Sequence, residues 1–333
     1  MSYTVWGAFD SFRKNNIDLT PTESENATNS KGYLFQQLKL LDENNAYFPL
    51  LFGKYLSFGS FARKTKIRPL DDIDFLLLLN GKGTMSTAST VNSYEYWLKI
   101  KADSAPLSLF PDEYGYVNST KVLNSIKSGL SAVPNYNKAD IKRTGEAITL
   151  NLSSYPWVFD IVPAVPIADS TGRTSYYLIP DGSGDWKATD PRKDQAYITR
   201  VNQQNTSLLI PTIRILKYWN NRITKPVLES YYFETLALKV FDYAPKITDF
   251  PHAIDYFFRN FPNYLWGSCP DPKGLGPALD INETFDRKQK IASAASTASS
   301  HAAWALYYEV NNKPEQAINS WENIFGSSFP SYG

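Results

Sequence analysis

Residues 59–76 read GSFARKTKIRPLDDIDFL, and this stretch decides the fold of the chain. Its end leads into the run Phe75–Leu79, in which every residue is hydrophobic. Hydrophobic residues that do not alternate with polar ones predict a strand covered on both faces. We therefore expect a sheet that is packed between other layers.

Two acids, Asp72 and Asp74, stand at the start of this strand. Residues two apart in a strand point to the same face, with Cα atoms roughly 6.5 to 7 Å apart, so both carboxylates would share one target. Such carboxylates repel one another and raise each other's pKa, which a divalent cation would relieve. The alternative is a pair of acids that cap turns before the strand, since Asp71 is acidic too.

A third acid, Asp160, lies alone within the apolar segment Trp157–Val162. Its neighbours predict a second buried strand, in which a carboxylate needs a compensating charge. On a strand beside Asp72 and Asp74, it would complete an oxygen-rich site for two Mg²⁺ ions about 3.5 to 4 Å apart. The alternative is a buried acid that is bonded to a backbone amide or an arginine.

The first half of the chain alternates between strand and helix patterns. Gly32–Asn44 has the apolar spacing of a helix, and Val91–Ala102 and Thr120–Ser128 are also predicted to be helical. Strand, helix and strand alternate over Phe52–Pro166, which indicates an α+β (mixed α/β) lobe with a mixed sheet. The turn residues in Pro180–Pro191 predict the end of this lobe.

Beyond this boundary the patterns are helical. Hydrophobic residues spaced by three, four or seven form two stripes, at Leu209, Ile213, Leu216 and Ile223 and at Tyr232, Leu236 and Val240. Lys288–Val310 is rich in alanine and favours a helix, whereas prolines and glycines in Cys269–Pro277 predict a surface loop. We expect two domains: residues 1–185, with an N-terminal helix and the sheet, and residues 186–333, a helical lobe.

Composition excludes several classes of site. Lysine and arginine total 34 against 33 acids, so any phosphate binding must be local and a long nucleic acid template is not expected. Two histidines and one cysteine are too few for a zinc site of nitrogen and sulfur ligands, so a bound metal would be held by oxygen. No apolar run approaches the roughly 20 residues that span a bilayer. With no export leader, we expect a cytoplasmic protein.

The motifs described above resemble a known superfamily when they are taken together. Gly-Ser, a following threonine, Asp-x-Asp on an apolar strand and a later isolated Asp resemble the DNA polymerase β-like nucleotidyltransferases. Leu209–Asn220, Glu229–Glu234 and the end of the chain, with Ala317–Trp321 and Phe329-Pro330, are similar to the helical lobe of bacterial cGAS-like (CD-NTase) enzymes. The resemblance covers about residues 52–330 and implies a two-lobed polymerase β-like fold. Its members make cyclic oligonucleotide second messengers in CBASS anti-phage signalling.

The resemblance also implies a set of nucleotide-binding residues. Gly59 and Ser60 would let backbone amides and a hydroxyl approach a phosphate, as phosphate-binding nests do. By the resemblance, Lys217 and Ser230 contact the donor triphosphate and Tyr231 stacks on its base. Each of these three has an alternative: Lys217 as a solvated residue of a helix face, Ser230 as a helix N-cap and Tyr231 as core packing.

A basic cluster follows the Gly-Ser motif and comprises Arg63, Lys64, Lys66 and Arg68. A solvated basic turn is the favoured interpretation. The alternative is a local patch that contacts phosphate or a partner.

Together with the resemblance, these observations predict a monomeric nucleotidyltransferase that uses Mg²⁺, or Mn²⁺, at Asp72, Asp74 and Asp160. Its substrates would be nucleoside triphosphates, and its favoured product a cyclic dinucleotide, made with release of pyrophosphate and read by a downstream effector protein. Neither a long nucleic acid nor a membrane is expected as a partner. One alternative is transfer of a single nucleotide to a small molecule or protein, and another is an inactive nucleotide-binding module.

Overall fold

The computed structural model describes residues 1–90 and 92–333. Its helices are α1 Val5–Phe12, α2 Pro21–Asn44, α3 Gly59–Ala62, α4 Ser119–Ser131, α5 Pro191–Gln204, α6 Leu209–Asn220, α7 Ser230–Asp242, α8 Phe250–Trp266, α9 Phe285–Val310 and α10 Pro314–Phe325. Its strands are β1 Leu51–Ser57, β2 Asp72–Leu79, β3 Thr84–Ala88, β4 Glu95–Ile100, β5 Asp140–Thr144, β6 Ala147–Asn151, β7 Val158–Ala168, β8 Thr174–Pro180 and β9 Trp186–Thr189. The π-helical turn Arg13–Ile17 follows α1.

The chain folds as two compact units. The sheet unit comprises residues 21–62 and 70–191, and the helical unit comprises residues 1–20, 63–69 and 192–333. These units do not follow the predicted division at residues 185 and 186 throughout, because the first 20 residues lie in the helical unit. There Phe9 and Phe12 of α1, together with Ile67, join its apolar core. The division into two domains stays a prediction.

The sheet is mixed, as predicted. Its strands run in the order β1-β2-β7-β8-β9-β4-β3, and β6 pairs with both β5 and β7. The β2–β7 pair is parallel, while the other described pairs are antiparallel. In β2 the residues from Phe75 to Leu79 are all buried, which confirms a strand covered on both faces.

One prediction about the sheet unit was wrong, and another was only partly right. The segment predicted as a helix at Val91–Ala102 contains strand β4, which pairs with β3 on one side and β9 on the other; Val91 itself lies outside the described residues. The predicted loop at Pro180–Pro191 is irregular at residues 181–185, where its turn residues lie, but its second half contains β9. In both places pairing with distant strands decides the conformation, and local spacing does not report it. The predicted helix at Thr120–Ser128 is confirmed as α4.

The helical unit packs around aromatic side chains that come from its separate segments. The ring centroid of Phe9 lies 5.1 Å from those of Trp321 and Phe329, and the Phe12 ring lies 5.0 Å from Tyr218. The stripe Tyr232, Leu236 and Val240 is buried, as predicted. The other predicted stripe ends at Leu216, since Ile223 follows α6 and is 96% exposed.

The predicted loop at Cys269–Pro277 is irregular, but not all of it lies at the surface, because Cys269 and Asp271 are buried. Among the helices of the described residues, none is both long and apolar enough to cross a membrane.

Candidate active site

Three carboxylates lie on one face of the sheet. In the parallel pair β2–β7, Asp74 is the register partner of Asp160, and Asp72 precedes Asp74 by two residues. Register partners on neighbouring strands point to the same side, and these strands lie about 4.8 Å apart. The structure therefore brings together the three acids that the sequence singled out.

The same face is apolar further along both strands. Leu76 and Leu78 of β2 pack in one cluster with Val162 and Ala164 of β7, and all four are buried. Each lies an even number of residues beyond an acid, so the acids form the polar end of an otherwise covered face. Burial of the leucines thus fixes the strand register that presents the carboxylates.

Asp160 has a hydrogen-bond partner that the sequence did not suggest. Thr149 of β6 is its register partner on the other side of β7, and Thr149 Oγ1 donates to Asp160 Oδ1 at 2.9 Å. Of the predicted alternatives, neither a backbone amide nor an arginine provides this bond. Burial raises the pKa of Asp160, and the charges of Asp72 and Glu146 add to this effect, while the bond from Thr149 opposes it.

Gly59 lies directly against Asp74. A Cβ atom built on Gly59 would stand 1.9 Å from Asp74 Oδ2, and the residue has a φ of +75°. Only glycine meets both conditions without strain. Helix α3 therefore begins beside the carboxylate of Asp74, and Ser60, the predicted phosphate-binding residue, is its second residue.

The donor set of this face suits a hard cation. Its three carboxylates offer oxygen ligands, and the raised pKa of Asp160 reflects a buried negative charge that a divalent cation would offset. As positioned, the described residues include no group of three or more His, Cys, Asp or Glu side chains that could hold a metal ion. Asp160 Oδ1 accepts a hydrogen bond from Thr149 of β6, and β7 pairs with β6 as well as with β2. The metal-binding and catalytic roles of Asp72, Asp74 and Asp160 stay predictions.

Lys217 lies in the interior of the helical unit. Its residue surface is 3% exposed, and its Nζ lies 2.6 Å from Glu234 Oε1 of α7. The alternative of a solvated helix face is therefore wrong. Contact of Lys217 with a triphosphate stays a prediction.

Ser230 and Tyr231 begin α7 but have different surroundings. Ser230 is exposed and is the first residue of the helix; the N-cap position belongs to Glu229, so Ser230 is not the N-cap. Tyr231 is half-buried in a polar network and not in an apolar core. Its hydroxyl donates to Asp194 Oδ1 at 2.6 Å and accepts from Lys273 Nζ at 2.8 Å. Burial and the charge of Asp194 raise the pKa of this hydroxyl.

Two cations lie near the ring of Tyr231. The Lys273 Nζ atom is 4.2 Å and the Arg63 Cζ atom 5.3 Å from its centroid, which is within the range of cation–π attraction. The nucleotide-binding roles of Gly59, Ser60, Ser230 and Tyr231 stay predictions.

The basic cluster is not the solvated turn that was favoured. The Arg63 side chain is largely buried and forms an ion pair with Glu234. Arg68 donates to the backbone oxygens of Lys14 and Asn15, each at 3.0 Å. At least these two members of the cluster have structural partners.

The mixed sheet, with acids at the start of two neighbouring parallel strands, and the helical unit agree with the fold that the resemblance to DNA polymerase β-like nucleotidyltransferases implies. No protein-family model matches the chain. It is 37% identical over 334 residues to a Bacillus cereus (strain VD146) protein named as a probable cyclic nucleotide synthase, covering 100% of this chain and 99% of the relative. The chain therefore belongs to the bacterial cGAS-like (CD-NTase) family of nucleotidyltransferases.

Solved structures have the same fold. Escherichia coli MS115-1 CdnC with ATP superposes with a TM-score of 0.69 at 18% identity, covering 98% of this chain and 99% of CdnC. Vibrio cholerae DncV, a cyclic AMP-GMP synthase in complex with a linear intermediate, superposes with a TM-score of 0.66 at 11% identity, covering 99% and 97%. The predicted fold class, including the helical C-terminal lobe, is confirmed.

Proposed function

We propose that this chain is a cyclic oligonucleotide synthase that joins nucleoside triphosphates and releases pyrophosphate. The observation that carries the proposal is the 37% identity, over the whole chain, to the Bacillus cereus protein named as a probable cyclic nucleotide synthase. The positions of Asp72, Asp74 and Asp160 support it, because these acids lie on one face of two paired strands. A cyclic dinucleotide is the favoured product, and a downstream effector in anti-phage defence is its proposed receptor.

Asp72, Asp74 and Asp160 would hold the divalent cation, Mg²⁺ or Mn²⁺. When bound, such a cation eases deprotonation of the attacking hydroxyl and neutralises the triphosphate. Gly59 leaves room for the carboxylate of Asp74, and Thr149 fixes one oxygen of Asp160. In each transfer, a 3′- or 2′-hydroxyl forms a bond to an α-phosphate, and the bond to pyrophosphate breaks. A second transfer between the same two nucleotides closes the ring.

Nucleotide binding is assigned to two groups of residues. Gly59 and Ser60, at the start of α3, would contact phosphate. Lys217 and Ser230 would contact the donor triphosphate, and Ser230 is favourably placed because the first N–H groups of α7 lack partners within the helix. Tyr231 would stack on the base. We propose that the protein acts as a monomer in the cytoplasm, where nucleoside triphosphates are made.

The test is product formation by the purified protein. Incubation with α-labelled ATP, GTP, CTP and UTP and Mg²⁺ or Mn²⁺, then phosphatase treatment and mass analysis, should give a phosphatase-resistant cyclic product. The Asp74→Asn variant should give none while it stays folded. A labelled small molecule or protein would instead indicate single-nucleotide transfer, and release of no pyrophosphate under any condition would indicate an inactive binding module.

A further inference from the structure

One buried carboxylate joins three side chains of the helical unit. Glu234 is 2% exposed, and its Oε1 accepts from Lys217 Nζ at 2.6 Å. Its Oε2 accepts from Arg63 Nε at 3.0 Å and from Thr65 Oγ1 at 2.8 Å. Glu234 thus connects α7, α6 and the segment that follows α3.

The carboxylate of Glu234 balances the buried positive charges of Arg63 and Lys217. Burial alone would raise its pKa, but the charges and hydrogen bonds of Arg63 and Lys217 outweigh burial and hold the pKa below its ordinary value. Two cations share this single carboxylate, so its loss would leave both buried charges without their common partner. A buried pair that loses one member is strongly destabilised.

Lys217 has few ways to meet a phosphate. An ammonium group has three N–H donors, and Glu234 takes one of them. Because the Lys217 side chain is 4% exposed, a phosphate can reach it only at the remaining donors. Glu234 decides which way those donors point.

We propose that Glu234 is a positioning residue for nucleotide binding. It holds the Lys217 ammonium group in place for the triphosphate, and Arg63 and Thr65 in turn hold the Glu234 carboxylate. This role rests on the proposed function, in which Lys217 contacts the triphosphate. Glu234 itself touches no substrate. Its effect is therefore transmitted through Lys217.

The test uses the full chain, four single variants and the double variant Glu234→Gln/Lys217→Met. Glu234→Gln keeps the shape and removes the charge, Glu234→Asp keeps the charge, and Lys217→Met removes the proposed contact. Asp255→Asn is the matched control, since Asp255 is a buried acid that pairs with Arg259 of the same unit. Binding of ATP, GTP, CTP and UTP by calorimetry, KM, kcat and thermal unfolding are measured for each.

Glu234→Gln should raise the KM and Kd for nucleoside triphosphates about tenfold and change kcat less than about twofold. In the Lys217→Met background the same substitution should change neither KM nor Kd further, because the two residues act as one unit. Glu234→Asp should recover part of the binding. Asp255→Asn should lower thermal stability and leave KM and Kd unchanged.

Each other outcome overturns the role. Wild-type binding by a folded Glu234→Gln protein refutes it while the proposed function stands, and so do independent effects of Glu234→Gln and Lys217→Met. If Glu234→Gln does not fold, unchanged KM and Kd in Glu234→Asp refute it and a rise in both supports it. A wild-type protein that binds none of the four nucleotides removes the proposed function and this role together.

Discussion

The carboxylate of Asp74 occupies the space where any residue other than glycine at position 59 would place its β-carbon. The distance from that β-carbon to Asp74 Oδ2 would be 1.9 Å, and to its Cγ 2.7 Å. The pairing of Ser57 with Phe75 at the end of β1 holds the backbone of this segment beside β2. The position of the Asp74 carboxylate therefore depends on the absence of a side chain at Gly59.

Replacement of Gly59 by alanine should abolish product formation while the protein still folds. The positive φ costs an alanine roughly 1–2 kcal/mol, and the overlap forces the Asp74 carboxylate to move. Displacement of a reacting group by about 1 Å costs about a hundredfold in rate, which sets the minimum loss expected in a product assay.

Gly53→Ala is the matched control, since Gly53 has a φ of +76° and open space where its Cβ would be. It should lose similar stability and keep its activity. Equal activities in the two variants would show that the close approach to Asp74 has no role in the reaction.

Asp160→Asn should stabilise the protein in the absence of divalent cations and abolish activity. The substitution removes a carboxylate whose pKa is raised by burial and by the charges of Asp72 and Glu146, while the amide oxygen can still accept from Thr149. Thermal unfolding with EDTA measures the stabilisation, and a product assay measures the activity. Thermal unfolding with Mg²⁺ measures metal binding, because a ligand that binds the folded state raises Tm. A Mg²⁺-dependent rise in Tm that is as large as in the wild type would contradict the metal-binding role of Asp160.

Thr149→Val should reduce the rate of product formation roughly tenfold, the lower end of the effect of removing a group that orients a metal ligand. The valine has the same shape but cannot donate to Asp160 Oδ1. Thr149→Ser keeps the hydroxyl and should retain most of the activity. Rates measured across a range of Mg²⁺ concentrations should show the difference, and equal rates for the valine and serine variants would exclude a role for the hydroxyl.

The stability of the helical unit should depend on Glu234 at acidic pH. Its folded pKa is lowered, so the unfolded state binds the proton more tightly. The stabilisation is complete above the unfolded pKa of about 4.3 and is lost as the pH falls through the folded pKa. Urea unfolding at several pH values should show that wild type and Glu234→Gln differ in unfolding free energy by a constant amount near neutral pH. That difference should shrink below about pH 4. A difference that stays constant there would mean that the Glu234 carboxylate is not ionised in the folded protein.

Two substitutions at Tyr231 separate the contribution of its ring from that of its hydroxyl group. Tyr231→Phe leaves Asp194 and Lys273 without the shared hydroxyl and should cost about 1–3 kcal/mol of unfolding free energy, with nucleotide affinity changed little. Tyr231→Ala also removes the ring, and loss of base stacking should cost a further 1–3 kcal/mol of binding, by an order-of-magnitude estimate. Denaturant unfolding and nucleotide titration of both variants give the comparison. Equal nucleotide affinities in the two variants would rule out stacking.

The sequence was sufficient for the parts of the fold whose signal is local. Strand β2 ends in the uninterrupted apolar run Phe75–Leu79, and α9 is a long stretch of helix-favouring residues, so both were predicted. Strands β4 and β9 are short, and their conformation depends on each other and on β3 and β8. The sequence of so short a strand does not show which distant strands it pairs with.

In the candidate site too, some residues carry a local sequence signal and others do not. Asp72, Asp74 and Asp160 were visible because an acid is out of place in a buried apolar strand. Thr149 carried no such signal, although alternation in β6 could have placed it on the same face as Ala147. Glu234 stood inside a recognised motif, yet its partner Arg63 is 171 residues away in the chain. Its role therefore required the structure.

The interleaving of the two units limits how this family can exchange parts. The chain passes from one unit to the other at residues 20, 62, 69 and 191. A single crossover between two related genes therefore always gives a hybrid in which at least one unit mixes segments of both parents. When the crossover falls between residues 63 and 234, Arg63, which directly follows α3, would meet a Glu234 from the other parent. Recombination between diverged members should thus bring together, within one unit, side chains that were not selected as partners.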